Sequence, residues 1–169
     1  LLGTPVGARF TEHRDLVAAV RAIAAASDRV RIVEYGATAE GRPLLLCFVS
    51  SPANLARLDA ISRGLRELAD ARIVQDEVAA RARIEGQVPV VWLSYNVHGN
   101  EPSSSEAALA VLYHLAAAQD EATVKLLDEV LVVIDPCLNP DGRDRYVHWF
   151  ASVVGAGPHP QPPSREHDE

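Results

Sequence analysis

The chain has 169 residues, 48% of them hydrophobic, which is one domain's worth of sequence with ample material for a core. Its formal net charge is −7 and no basic run occurs, which argues against nucleic acid as a partner. The longest apolar runs, 44–49 and 88–93, fall far short of the ~20 residues needed to cross a bilayer, so no transmembrane segment is expected.

A first helix is predicted over 10–26, with Thr11 as its cap and Leu16, Val17, Val20, Ile23 and Ala24 turned inward. Residues 30–35 are β-branched and alternating, 36–41 turn the chain, and 43–50 form a second strand. Together these make a hairpin whose loop is longer than the tight two-residue type. A helix over 54–69 follows, then a short charged helix over 75–84. The run 88–93 has the composition of a strand buried on both faces. Ser103 and Glu106 have the spacing of a capping box, and the helix they open is predicted to reach about residue 118. A brief helix over 120–129 and a continuous buried strand over 130–134 come next. The stretch 135–143 holds two X-Pro steps and an Asp-Gly step, and reads as a turn-rich loop without helix or strand. A short aromatic helix is predicted over 146–154, and 155–169 reads as loop or disorder. Cys47 and Cys137, in apolar surroundings, read as buried free thiols. The chain begins at Leu1 and contains no Met, so it is expected to be a fragment or a processed form.

The chemistry concentrates after the strand at 88–93. His98 and Glu101 sit where a strand hands over to a helix, and open α/β sheets gather ligands at the carboxyl ends of strands. An imidazole and a carboxylate three residues apart in a turn can reach one ion. Both are zinc ligand types, and a catalytic zinc takes three protein ligands while keeping one position open. The alternative is a solvated loop histidine and a glutamate that favours the helix dipole. The loop at 135–143 leaves the same edge, so the two loops should face one crevice. There Asp135 and Asp141 read as turn formers. Arg143 is a candidate for gripping a substrate carboxylate, which its fork matches, or for a loop-stabilising ion pair. As a third ligand His114 is turned away along its helix, His148 reads as packed among aromatics, and His159 and His167 lie in the Pro-rich end.

Three motifs occur in order: Tyr35-Gly36 with Glu40-Gly41-Arg42-Pro43, then His98-Gly99-Asn100-Glu101, then Asn139-Pro140-Asp141-Gly142. On these the chain resembles the N-terminal part of the zinc carboxypeptidase family, the carboxypeptidase A-like metallopeptidases. Leu2-Gly3, Gly7 and Phe10-Thr11 also resemble the opening of a bacterial branch. The resemblance implies an α/β fold, a three-layer α/β/α sandwich around a mixed, mostly parallel sheet, truncated at the C-terminal side. Residues 1–154 would be the N-terminal part of a catalytic domain and 155–169 a Pro/Gly-rich loop or disordered end. The implied activity is zinc-dependent removal of C-terminal residues from peptides or proteins. One Zn2+ would be held by His98 and Glu101, with a third ligand, a histidine, and the general base expected beyond Glu169. No catalytic residue maps onto this chain, and the isolated piece is predicted to be inactive. Two other readings keep the same site: a zinc amide hydrolase for small acylated amino acids, and a non-catalytic binding module that retains the fold. The resemblance favours a secreted or periplasmic location.

Overall fold

A computed structural model describes residues 5–154. Their elements run α1 (His13–Ala26), β1 (Val30–Ala37), β2 (Pro43–Val49), α2 (Pro52–Leu55), α3 (Leu58–Ala69), α4 (Glu77–Glu85), β3 (Val90–Ser94), α5 (Ser103–Ala117), α6 (Glu121–Glu129), β4 (Leu131–Asp135) and α7 (Pro140–Val154). The strands form one sheet in the order β1-β2-β4-β3. The hairpin β1–β2 is antiparallel, as is β2–β4, and β3–β4 is parallel. The sheet is therefore mixed, as expected; of the three pairings among the described strands, two are antiparallel and one is parallel. The reason is connectivity: a hairpin turn must reverse the chain, and only the crossover through α5 and α6 returns a parallel strand.

Alternation along β2 divides the core in two. Leu45, Cys47 and Val49, with Val132 and Ile134 of β4, pack against Leu16, Val20 and Ile23 of α1 and Leu109 and Leu112 of α5. The opposite face carries Leu46, Phe48, Val90, Leu131 and Val133, which pack against Leu55 of α2 and Leu58 and Ile61 of α3. Helices thus cover both sheet faces, giving the three layers expected. Each fully buried Leu or Ile in these clusters is worth about 1.5–3 kcal/mol of transfer free energy. Cys47 and Cys137 are buried free thiols, and burial pushes them up to about 12 and about 11 respectively.

Several boundaries depart from the sequence reading. The predicted helix over 54–69 is broken between α2 and α3. The first helix starts at His13 rather than residue 10, and Thr11 does not cap it. Likewise α5 starts at Ser103 without a side-chain cap, so no capping box forms; Thr11 and Glu106 bond to each other instead. Strand β3 pairs with β4 alone among the described residues, and Trp92 is 57% exposed. It is an edge strand here, not one buried on both faces.

The largest departure lies at 135–143. Asp135 ends β4, and α7 begins at Pro140. Asn139 Oδ1 accepts the Gly142 N–H at 3.0 Å, which is an N-cap bond. Proline suits the first helical position because its missing N–H would be unpaired there in any case. The residues that read as helix breakers are a helix start.

Candidate active site

Strands β3 and β4 end together, with Ser94 opposite Asp135 in register. Pairing continues past the strands. Tyr95 N–H donates to the Asp135 carbonyl (3.0 Å), Leu138 N–H to the Tyr95 carbonyl (2.9 Å), and Asn139 N–H to the Asn96 carbonyl (3.1 Å). The two loops are zipped side by side at the carboxyl edge. His98 and Glu101 lie on the first of them, and both are exposed. Glu101 N–H donates to the His98 carbonyl at 3.2 Å, which holds the two residues within one turn.

The loop's foundation is Asn96, a buried residue at φ 55°, in the left-handed region where asparagine is tolerated better than most. Its Nδ2 donates to the His98 carbonyl at 2.6 Å, and its N–H donates to Ser104 Oγ at 2.8 Å. Its Oδ1 accepts from Ser105 Oγ at 2.9 Å and from Arg143 Nη1 at 2.9 Å.

Of the two readings of Arg143, the structure has the stabilising ion pair, made with Glu106. The arginine side chain is 0% exposed, so it does not face a substrate carboxylate in this structure. It bonds the Thr11 carbonyl through Nε (3.2 Å) and Nη2 (2.8 Å), and Glu106 Oε1 through Nη2 (2.8 Å). Nη1 also donates to the Pro102 carbonyl. Burial of a guanidinium requires such saturation, since an unpaired buried charge is costly.

Asp135 is buried at the end of β4. Its Oδ1 accepts the Cys137 N–H (3.2 Å), as a turn former's should, and its Oδ2 accepts the Tyr35 hydroxyl at 2.7 Å. Burial pushes the Asp135 carboxyl above the usual range, against the opposing pull of these bonds. Tyr35 reaches across β2 because it is the extra residue of a β-bulge: Glu34 pairs with Leu45 and Gly36 with Leu44. Bulges re-aim side chains in this way. Below, the hairpin is tied to α7 by charge. Arg42 bonds Asp141 (2.7 Å) and Asp144 (2.9 Å), Thr38 Oγ1 donates to Asp141 (2.8 Å), and Glu40 pairs with both Arg42 and Arg145.

Neither described histidine considered as a third ligand joins the loop. His114 is exposed on α5. His148 is exposed on α7 with Nε2 3.7 Å from Glu12 Oε1, rather than packed among the aromatics. Those aromatics do pack: the Phe10 and Phe150 ring centroids are 5.0 Å apart, edge to face. His159 and His167 lie outside the described residues. Among the described residues no three His, Cys, Asp or Glu side chains cluster in a way that could hold a metal. A groove of about 630 Å³ runs between residues 7–15 and α7, and neither His98 nor Glu101 lines it.

The sequence profile of the zinc carboxypeptidase family matches residues 16–151. The chain belongs to that family. Zinc carboxypeptidases are metalloprotease hydrolases, and the motif-based resemblance therefore holds. Probable carboxypeptidase 2 of Trichophyton verrucosum is 48% identical over 62 residues, which cover 37% of this chain and 12% of the relative. Human carboxypeptidase D is 36% identical over 63 residues, covering 36% of this chain and 5% of the relative. Among solved structures, carboxypeptidase A from Helicoverpa armigera superposes with a TM-score of 0.56 at 22% identity, covering 83% of this chain and 26% of that one. Thrombin activatable fibrinolysis inhibitor gives a TM-score of 0.53 at 16% identity, covering 80% and 27% respectively. At such identities the likeness is one of fold. The chain spans only about a quarter of the length of these solved structures.

The sequence reading does not reach the role of Asn96, the Thr11–Glu106 bonds or the Tyr35–Asp135 bond. Glu106 and Thr11 were visible as helix-start residues, but the partners they take lie far away in sequence. For Asn96 the one local hint is a polar residue two positions past the end of β3. No described helix is long and apolar enough to cross a membrane.

Proposed function

We propose that this chain is the N-terminal part of the catalytic domain of a zinc-dependent metallocarboxypeptidase, which hydrolyses C-terminal peptide bonds of peptides or proteins. The reading rests on one observation above the others. His98 and Glu101 are both exposed within one turn of a loop braced against its neighbour at the carboxyl edge of β3 and β4. Their donor types, an imidazole nitrogen and a carboxylate, suit zinc. His98 would hold the ion through an imidazole nitrogen and Glu101 through a carboxylate oxygen. Two donors from a single loop leave room for a third ligand and an open position, as a catalytic site requires. The described residues offer no third ligand beside these two, so on this reading the 169-residue piece alone would bind zinc weakly and hydrolyse nothing. When bound, zinc supplies Lewis-acid polarisation of a carbonyl and activation of water near neutral pH. Bracing of the loop by Asn96 and by the 135–139 segment keeps both donors oriented without reorganisation at each turnover.

The test is release of C-terminal residues from synthetic peptides by the intact protein that carries this chain. Turnover should vanish with a chelator, return with zinc, and fall by several orders of magnitude in His98→Ala. Full turnover by His98→Ala would refute the assignment.

A further inference from the structure

Building on that zinc-site reading, we infer that Arg143, acting through Asn96, is the positioning residue of the metal loop: one buried guanidinium fixes both ends of the segment that carries His98 and Glu101. The geometry makes three points.

First, the guanidinium is saturated. An arginine side chain has five N–H donors, and the bonds to Thr11, Asn96, Pro102 and Glu106 use five. The bond to Glu106 and the two to Thr11 would suffice to fasten α5 to the start of α1. The remaining two, both from Nη1, go to Asn96 and Pro102, the residues that bracket the exposed loop. No core-packing requirement explains that pairing.

Second, the constraint is passed on. Asn96 Oδ1 receives Arg143, and Asn96 Nδ2 donates to the His98 carbonyl at 2.6 Å. The same carbonyl accepts the Glu101 N–H. Two side-chain hydrogen bonds in series therefore link Arg143 to the backbone of His98, and one backbone bond carries the link on to Glu101.

Third, the neighbouring residue meets the same loop independently. Gly142 backbone lies directly against Gly99, the residue after His98. The metal loop is seated on the first turn of α7 through Gly142 and through both ends of its span, so α7 sets where the donors stand.

Asn96→Asp separates this role from general stability. An aspartate keeps the acceptor for Arg143 and for Ser105 and adds an opposite charge beside the guanidinium, which offsets its cost at the other oxygen, where the donor to the His98 carbonyl becomes an acceptor that repels it. Arg143→Lys keeps the charge but offers three donors in place of five and no fork. In the intact protein, zinc affinity is measured by chelator competition, the visible spectrum is recorded after cobalt substitution, and the metal-free protein is melted.

Asn96→Asp should retain the metal-free melting temperature, yet bind zinc about 10–100-fold more weakly, the usual loss when a group supporting a metal ligand is removed. Its cobalt spectrum should also change. Arg143→Lys should lose affinity to a similar degree while melting earlier. Wild-type zinc affinity and an unchanged cobalt spectrum in Asn96→Asp would overturn the inference while leaving the zinc site standing. A wild-type protein that binds no zinc, with or without these substitutions, would overturn the zinc reading and the inference with it.

Discussion

Gly99 and Gly142 touch backbone to backbone: a Cβ on Gly99 would lie 2.2 Å from the carbonyl carbon of Gly142. Neither glycine has a positive φ, so what the contact demands is space and not an unusual backbone. The obstacle is main chain, which cannot swing aside as a side chain can. Gly99→Ala must therefore lift the loop that carries His98 and Glu101 off α7. We expect a loss of about 1–3 kcal/mol, typical of overpacking, read from urea unfolding. Wild-type stability in this variant would mean that the loop and helix are not in contact.

The hairpin and α7 are joined by unequal charges. Arg42 is three-quarters buried and serves Asp141 and Asp144, whereas the Arg145–Glu40 pair is largely exposed. Arg42→Ala should cost about 1.5–3 kcal/mol, the scale of hydrogen bonds to charged groups. Arg145→Ala should cost under about 1 kcal/mol, as exposed ion pairs do. Parallel thermal melts of the two variants decide the matter, and equal losses would count against the distinction.

Asn139 caps α7 through the bond to Gly142 N–H. Asn139→Ala should cost about 1 kcal/mol, and Asn139→Asp, which can still cap, much less. A denaturation midpoint in Asn139→Ala equal to wild type would refute the cap.

His13 makes stability depend on pH. It is buried, Nε2 lies 2.9 Å from the Pro43 carbonyl, and Nδ1 has no partner among the described residues. Nε2 therefore carries the proton, and a second proton on Nδ1 would create a buried donor without an acceptor. Burial holds the imidazole below its ordinary 6.5, against the Pro43 bond and Asp144, which pull the other way. The folded state then binds fewer protons than the unfolded chain. This contribution is fully present above the unfolded value and is lost as the pH falls through and below it. Stability should fall from about pH 7 to about pH 5, and His13→Gln, which can still donate to Pro43, should flatten that profile. Identical pH profiles would contradict the assignment.

What could be read from the sequence was whatever depends on near neighbours. The hairpin, the β4 run and the α6 helix after Asp120 follow from alternation, branching and capping over a few residues. The shared loop of His98 and Glu101 was legible because a strand, a glycine and a helix start occur together. Long-range partners were not legible. Thr11 and Glu106 each looked like a local cap, but they lie 95 residues apart and bond each other, while Arg143 binds both. Asn-Pro-Asp-Gly is equally good chemistry for a turn and for a helix N-terminus, and the helical residues that follow decided it. The exposure of Trp92 depends on what stands beside β3, which its composition does not encode.

The most direct test of the central claim is the zinc content of the intact protein, by elemental analysis after exhaustive dialysis. We expect about one zinc ion per chain in the wild type, with occupancy lost in His98→Ala and in Glu101→Ala. Full zinc occupancy in both variants would contradict the claim that this loop holds the metal.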